Sequence, residues 1–104
     1  MPAVHRNNDP RTCGALTVVQ GQSTVFVNGK LWSVQGDPNT HINGPLLAVN
    51  GTTVTINGKR VITIRDPSSS ADNLGHNGAG DAALLGSGNV NAYYNGPLVD
   101  NPEP

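Results

Sequence analysis

Two stretches of the chain share one pattern of polar and apolar positions. Residues 21–30 read GQSTVFVNGK and residues 51–59 read GTTVTINGK. Each passes from a glycine through small polar residues into a β-rich run, with Val25 and Val27 in the first and Val54 and Ile56 in the second. Each run then meets Asn-Gly-Lys. Asn-Gly between β-rich arms predicts a hairpin, because both residues accept the positive φ of a type I′ turn. The return arms are LWSV (31–34) and RVITI (60–64), so the turns fall at Asn28-Gly29 and Asn57-Gly58. A partial third copy, GSGNVNAYYNG (86–96), has the return arm PLVD; from about residue 97 to 104 the chain reads as a tail. This alternation predicts an all-β fold with no long helix over 17–66. A short helix is expected only in the long third loop, around Asp81 to Leu85.

Each of the first two hairpins runs into Asp-Pro, at Asp37-Pro38 and Asp66-Pro67, and Asp9-Pro10 opens the series with no hairpin before it. The three aspartates are 28 and 29 residues apart, and Asn28 and Asn57 are 29 apart. A single Asp-Pro is an ordinary turn opener, since Asp bonds nearby backbone and Pro presets φ. Three at an even period indicate a repeat architecture, whose units bury their apolar faces only against one another. At 104 residues the chain is expected to form one domain.

Composition narrows the class of function. The chain carries 12% charged residues and a net charge of −1. With no basic stripe, nucleic acid is not the expected partner, and no small-molecule substrate is expected either. No apolar run is long enough for a membrane-spanning helix, and the first residues lack the pattern of a secretory leader. The lone cysteine cannot form an internal disulfide. Synthesis in a reducing cytoplasm is the expectation.

That cysteine and the three histidines form the candidate chemistry. Cys13 follows Asp9 by four residues and His41 follows Asp37 by four. His76 comes ten after Asp66, in a third loop lengthened by SSSADNLGHNG, and His5 sits just before the first Asp-Pro. A structural zinc site takes four thiolate or imidazole ligands in a tetrahedron. Related loops converging at one end would bring His5, Cys13, His41 and His76 together. Taken singly, each histidine reads as a solvated residue and the cysteine as a small apolar one. The zinc-protease and zinc-deaminase motifs are missing, and the first Glu is Glu103. GHNGAGD (75–81) lacks the lysine of a phosphate loop, and a triad built on Ser68, Ser69 or Ser70 with His76 has no further support. Trp32, Tyr93 and Tyr94 read as packing residues.

The segments PAVHRNNDPRTCG, GQSTVFVNGKLWSVQGDPNTH, GTTVTINGKRVITIRDP and GSGNVNAYYNG together resemble the PAAR-repeat proteins, over about residues 2–96. The resemblance implies a small cone of repeated hairpins with a metal site at its apex, capping the spike of a contractile phage tail or a type VI secretion system. In that family three histidines and one cysteine hold zinc, which here implies His5, Cys13, His41 and His76. The signature is eroded: PAVHR keeps part of it, and the glycine before Asp survives only at Gly36, with Asn8 and Arg65 in the other two places. This erosion, with no toxin region alongside, points toward a phage tail.

The role this implies is mechanical rather than catalytic. One chain would cap one trimeric β-helical spike, cover its open strand edges, and meet the target envelope in passing. The protein would be made in the bacterial cytoplasm and built into a virion tail or secretion spike. One closed zinc (iron suits a thiolate with imidazoles less well) would hold a point too narrow for an apolar core. The docking face is expected away from the metal, among Val25, Val27, Val54, Ile56, Leu98 and Val99. The alternatives are a small zinc hydrolase, in which water completes a three-ligand site, and a metal-free β interaction domain.

Overall fold

The computed structural model describes residues 3–49 and 54–86. Both expected hairpins are present. Strands β1 (Phe26–Val27) and β2 (Lys30–Leu31) pair antiparallel, as do β3 (Thr55–Ile56) and β4 (Lys59–Arg60). Their turns have positive φ at both central residues: 50° and 83° at Asn28-Gly29, and 54° and 79° at Asn57-Gly58. That is the type I′ sign pattern, whose twist matches that of the strands. The helix content of the described residues is one 3-10 turn, Ala79–Asp81, which meets the span expected for a short helix, Asp81 to Leu85, only at its first residue. The proposed third turn at Asn95-Gly96 and the tail lie outside the described residues.

The hairpins are brief because most pairing runs between repeats. Isolated antiparallel bridges join Arg6 to Trp32, Val34 to Val61, and Thr63 back to Val4. Backbone hydrogen bonds close the same ring: Ser33 N donates to His5 O (3.0 Å), Ile62 N to Ser33 O (2.8 Å) and His5 N to Ile62 O (3.2 Å). A second ring runs from Val18 N to Pro38 O, Leu47 N to Pro67 O, and Leu84 N to Pro10 O, at 2.8–3.0 Å. His5, Ser33 and Ile62 each stand four residues before the aspartate of their Asp-Pro. The described residues therefore hold three like corners, each donating to the next around a closed circle.

The repeated aspartates fix the corners. In each unit the carboxylate accepts from the amide three residues earlier: Arg6 N to Asp9 (2.9 Å), Val34 N to Asp37 (2.8 Å) and Thr63 N to Asp66 (3.0 Å). The backbone of the same Asp donates back to the carbonyl of that residue. The residue between must take a left-handed conformation, and φ is 68° at Asn8, 97° at Gly36 and 75° at Arg65.

Inside the circle Trp32, Val4, Val27, Val34, Ile56 and Val61 form one apolar cluster, with Val25 and Val54 packed against it. The indole Nε1 of Trp32 donates to Ile62 O at 2.9 Å, so the polar edge of the ring is satisfied in the core. A smaller cluster joins Leu46, Ala48, Ile62 and Ala83. This changes the expected docking face. Val27 and Ile56 are buried in the chain's own core, so these two offer no free apolar face, while Val25 and Val54 are partly buried against it. Leu98 and Val99 lie outside the described residues.

Candidate metal centre

Three loops leave the circle just after the Asp-Pro corners, and each is closed by the same bonds. Arg11 N donates to Ala15 O, Asn39 N to Asn43 O and Asp72 N to His76 O, at 2.8–2.9 Å. Inside these turns Gly14 N, Ile42 N and Gly75 N donate back to Arg11 O, Asn39 O and Asp72 O. Arg11, Asn39 and Asp72 thus open equivalent five-residue turns, the third displaced along the chain by the extra residues of its longer loop. A side-chain oxygen helps shape two of them: Asn39 Oδ1 accepts from His41 N (2.8 Å), and Asp72 Oδ1 accepts from Leu74 N and His76 N (2.9 Å each).

The turns deliver four ligand-type atoms to one place. Cys13, His41, Asp72 and His76 each offer an atom, and all four atoms lie within 4.8 Å of one another. Cys13 Sγ is 3.8 Å from both His41 Nδ1 and Asp72 Oδ2, and Asp72 Oδ2 is 3.2 Å from His41 Nδ1 and 3.0 Å from His76 Nδ1. Bonds of about 2.0–2.3 Å from a zinc ion to N, O and S would set tetrahedron edges of about 3.3–3.8 Å. These separations fall near that range, so this group can hold a metal ion. The two rings are partly exposed and their centroids are 5.3 Å apart.

The membership differs from the expected set. Cys13, His41 and His76 are brought together, but the fourth donor is Asp72, and His5 lies outside the group. His5 is fully buried in the ring of inter-unit bonds. Its Nδ1 lies 2.9 Å from Leu84 O, which can only accept, so Nδ1 carries the proton; Nε2 then accepts from the Thr17 hydroxyl at 2.6 Å. Burial pushes its pKa down to about 3, with the Arg11 and Arg6 charges adding to the effect against the Leu84 bond. A neutral imidazole with both nitrogens engaged in the core has none left for a metal. Two signals in the sequence mark the difference. His5 precedes its Asp by four residues, like Ser33 and Ile62, whereas Cys13 and His41 follow theirs by four. Asp72 begins Asp-Asn-Leu-Gly, a local pattern that favours an Asx turn.

The surroundings are polar and buried. Burial raises the Asp72 carboxyl, but bonds from the His76 amide and ring, the Leu74 amide and Asn39 outweigh it and hold the pKa well below the usual carboxylate range. Cys13 is pushed up to about 11 by burial and by its bond to Asp81 Oδ1 at 2.8 Å. Behind them sits Arg11, itself buried. It donates through Nη1 to Asp81 Oδ2 (2.7 Å) and to Gly44 O, through Nη2 to Asp37 O (2.8 Å), and through Nε to the Thr17 hydroxyl (2.8 Å). Asp72, Asp81 and a Cys13 thiolate set against Arg11 leave two negative charges, which one divalent cation neutralises.

Searches against family models, curated proteins and solved structures return no match to this chain.

Proposed function

We propose that the chain is the metal-clamped tip of a three-fold assembly, capping the trimeric β-helical spike of a contractile injection machine and helping it pierce a target envelope. The observation that carries this reading is the closed circle of backbone bonds from His5 to Ile62 to Ser33 and back. One chain so arranged presents nearly the same backbone three times about an axis, and so can seat on a homotrimer without three copies of itself. The resemblance of the Asp-Pro units to PAAR repeats supports the same reading. A phage tail is the preferred setting over a secretion spike, with the protein made in the bacterial cytoplasm and carried in the particle.

The metal in this reading is zinc, held by Cys13, His41, Asp72 and His76. Four protein donors complete a tetrahedron, and a closed site holds structure rather than activating water. The ion would tie the three loops where they leave the circle, and the protein would have no turnover.

Two measurements test the reading. Elemental analysis of protein purified without chelator or affinity metal should return about one zinc per chain. Light scattering of the chain mixed with the end fragment of a trimeric spike from the same particle should give one chain per trimer. Three chains per trimer, or no complex at all, removes the capping role. Metal-dependent hydrolysis lost on chelation would replace it with an enzyme.

A further inference from the structure

Behind the four ligand-type atoms lies a connected set of side chains that offers no ligand of its own to the group. Arg11 and Asn39 open their turns at the place where the third turn has Asp72. Asn39 Nδ2 donates to Asp72 Oδ2 and to Asp81 Oδ2, at 3.0 Å each. Asp81 accepts from Arg11, Asn39 and the Cys13 sulfur. Arg11, Asn39 and Asp81 are each at most 3% exposed. We infer that Arg11, Asn39 and Asp81 are positioning residues, a buried polar frame that holds Asp72 in ligand geometry before any ion arrives. The inference rests on the metal reading above.

The geometry gives each member a separate task. Asp72 Oδ1 is committed to the amides of Leu74 and His76, so Oδ2 alone faces the two imidazoles, and Asn39 sets its direction. Asp81 stands beside the sulfur and keeps its other oxygen on Arg11 and Asn39. Two buried carboxylates that close would repel, and the Asn39 amide between them and the Arg11 charge behind them make the arrangement tenable. Gly44 completes the frame. Its φ is 68°, and a Cβ there would lie 2.6 Å from Asp81 Oδ2 and 2.7 Å from Asn39 Nδ2, so only glycine leaves room for the frame to close. Ligands oriented by such partners bind more tightly, and loss of one partner typically weakens a site about 10- to 100-fold.

The test uses the full chain loaded with Co²⁺, whose absorption reports both the symmetry of the site and the thiolate bond. Asn39→Leu removes the donors at similar size, Asp81→Asn keeps the shape, and Arg11→Lys keeps the charge but loses the fork. Competition against a chelator should show about 10- to 100-fold weaker cobalt binding in Asn39→Leu. The d–d bands should shift in both Asn39→Leu and Asp81→Asn, because Asn39 loses its place or its partner, while the sulfur-to-cobalt band should persist in Asp81→Asn, where the carboxylate that opposes the thiolate is gone. Arg11→Lys, if folded, should bind more tightly than Arg11→Met. Wild-type affinity and spectra in folded Asn39→Leu and Asp81→Asn would overturn the frame while leaving the metal site standing. Failure of the wild type to bind Co²⁺ would overturn both. If Asn39→Leu does not fold, Asp81→Asn alone decides.

Discussion

The three imidazoles of this chain meet two kinds of environment. His41 and His76 stand on turns with one ring nitrogen near Asp72, whereas His5 is enclosed by backbone and by Thr17. The enclosure has a consequence in acid. Folded His5 has a pKa near 3 against 6.5 in the unfolded chain. Between those values the unfolded chain binds the extra proton, so stability is lost as pH falls below about 6.5. From pH 7 to pH 5 this group alone should cost about 2 kcal/mol. Asp72 acts in the same direction but lower. Its folded pKa is depressed, so its contribution is present above its ordinary 3.8 and is lost only as pH falls beyond that value. Denaturant midpoints taken with chelator present, which removes any metal contribution, should therefore slope between pH 7 and 5 in the wild type. His5→Gln should be less stable at pH 7 yet lose that slope. An unchanged slope would mean that His5 is not the group being protonated.

At the scale of turns and strands, local chemistry carried most of what the sequence revealed. Asn28-Gly29 and Asn57-Gly58 announced their hairpins because residue type alone decides who tolerates positive φ. The Asp-Pro corners were equally plain, since the Asp carboxylate bonds an amide only three residues away. Half of the site was visible in the same manner, as Cys13 and His41 hold the same place after their corners. Asp72 was not, because the longer third loop moved its turn along the chain and hid its equivalence to Arg11 and Asn39. Nor could the alternation of Val27 and Ile56 tell an internal core from a docking face, since both bury one side of a strand. The corners also contain a local conflict. Arg65 has φ of 75° where the second unit has Gly36, and a side chain in that conformation costs about 1–2 kcal/mol. Glycine gives back about 0.5–1 kcal/mol in the unfolded chain. Arg65→Gly should then stabilise by about 0.5–1 kcal/mol and raise Tm by roughly 3–6 °C. Arg65→Ala, which keeps the strain, should show no such gain in thermal melts, and equal gains in both variants would rule out backbone strain as the cause.

For the whole molecule the open question is what joins the three loops. A small metal fold commonly has no other clamp and unfolds when the ion leaves. This chain has two clamps independent of an ion. The circle of backbone bonds closes the units on one another, and Arg11 reaches from its own turn to Asp37 O and Gly44 O of the second loop and to Asp81 of the third. Chelation should consequently remove binding energy without removing the fold. A ligand that binds only the folded state adds about 1.4 kcal/mol for each tenfold excess over its Kd. Tm should therefore fall on chelation and rise again with added Zn²⁺ in step with its concentration. The far-UV circular dichroism at 25 °C should stay unchanged, and the melt should remain a single transition. Arg11→Met should do the reverse, lowering Tm with or without metal, because a buried carboxylate loses its counter-charge, at a cost of about 3–5 kcal/mol. Collapse of the spectrum on chelation alone would show that the ion, and not Arg11 with the backbone circle, holds the loops together.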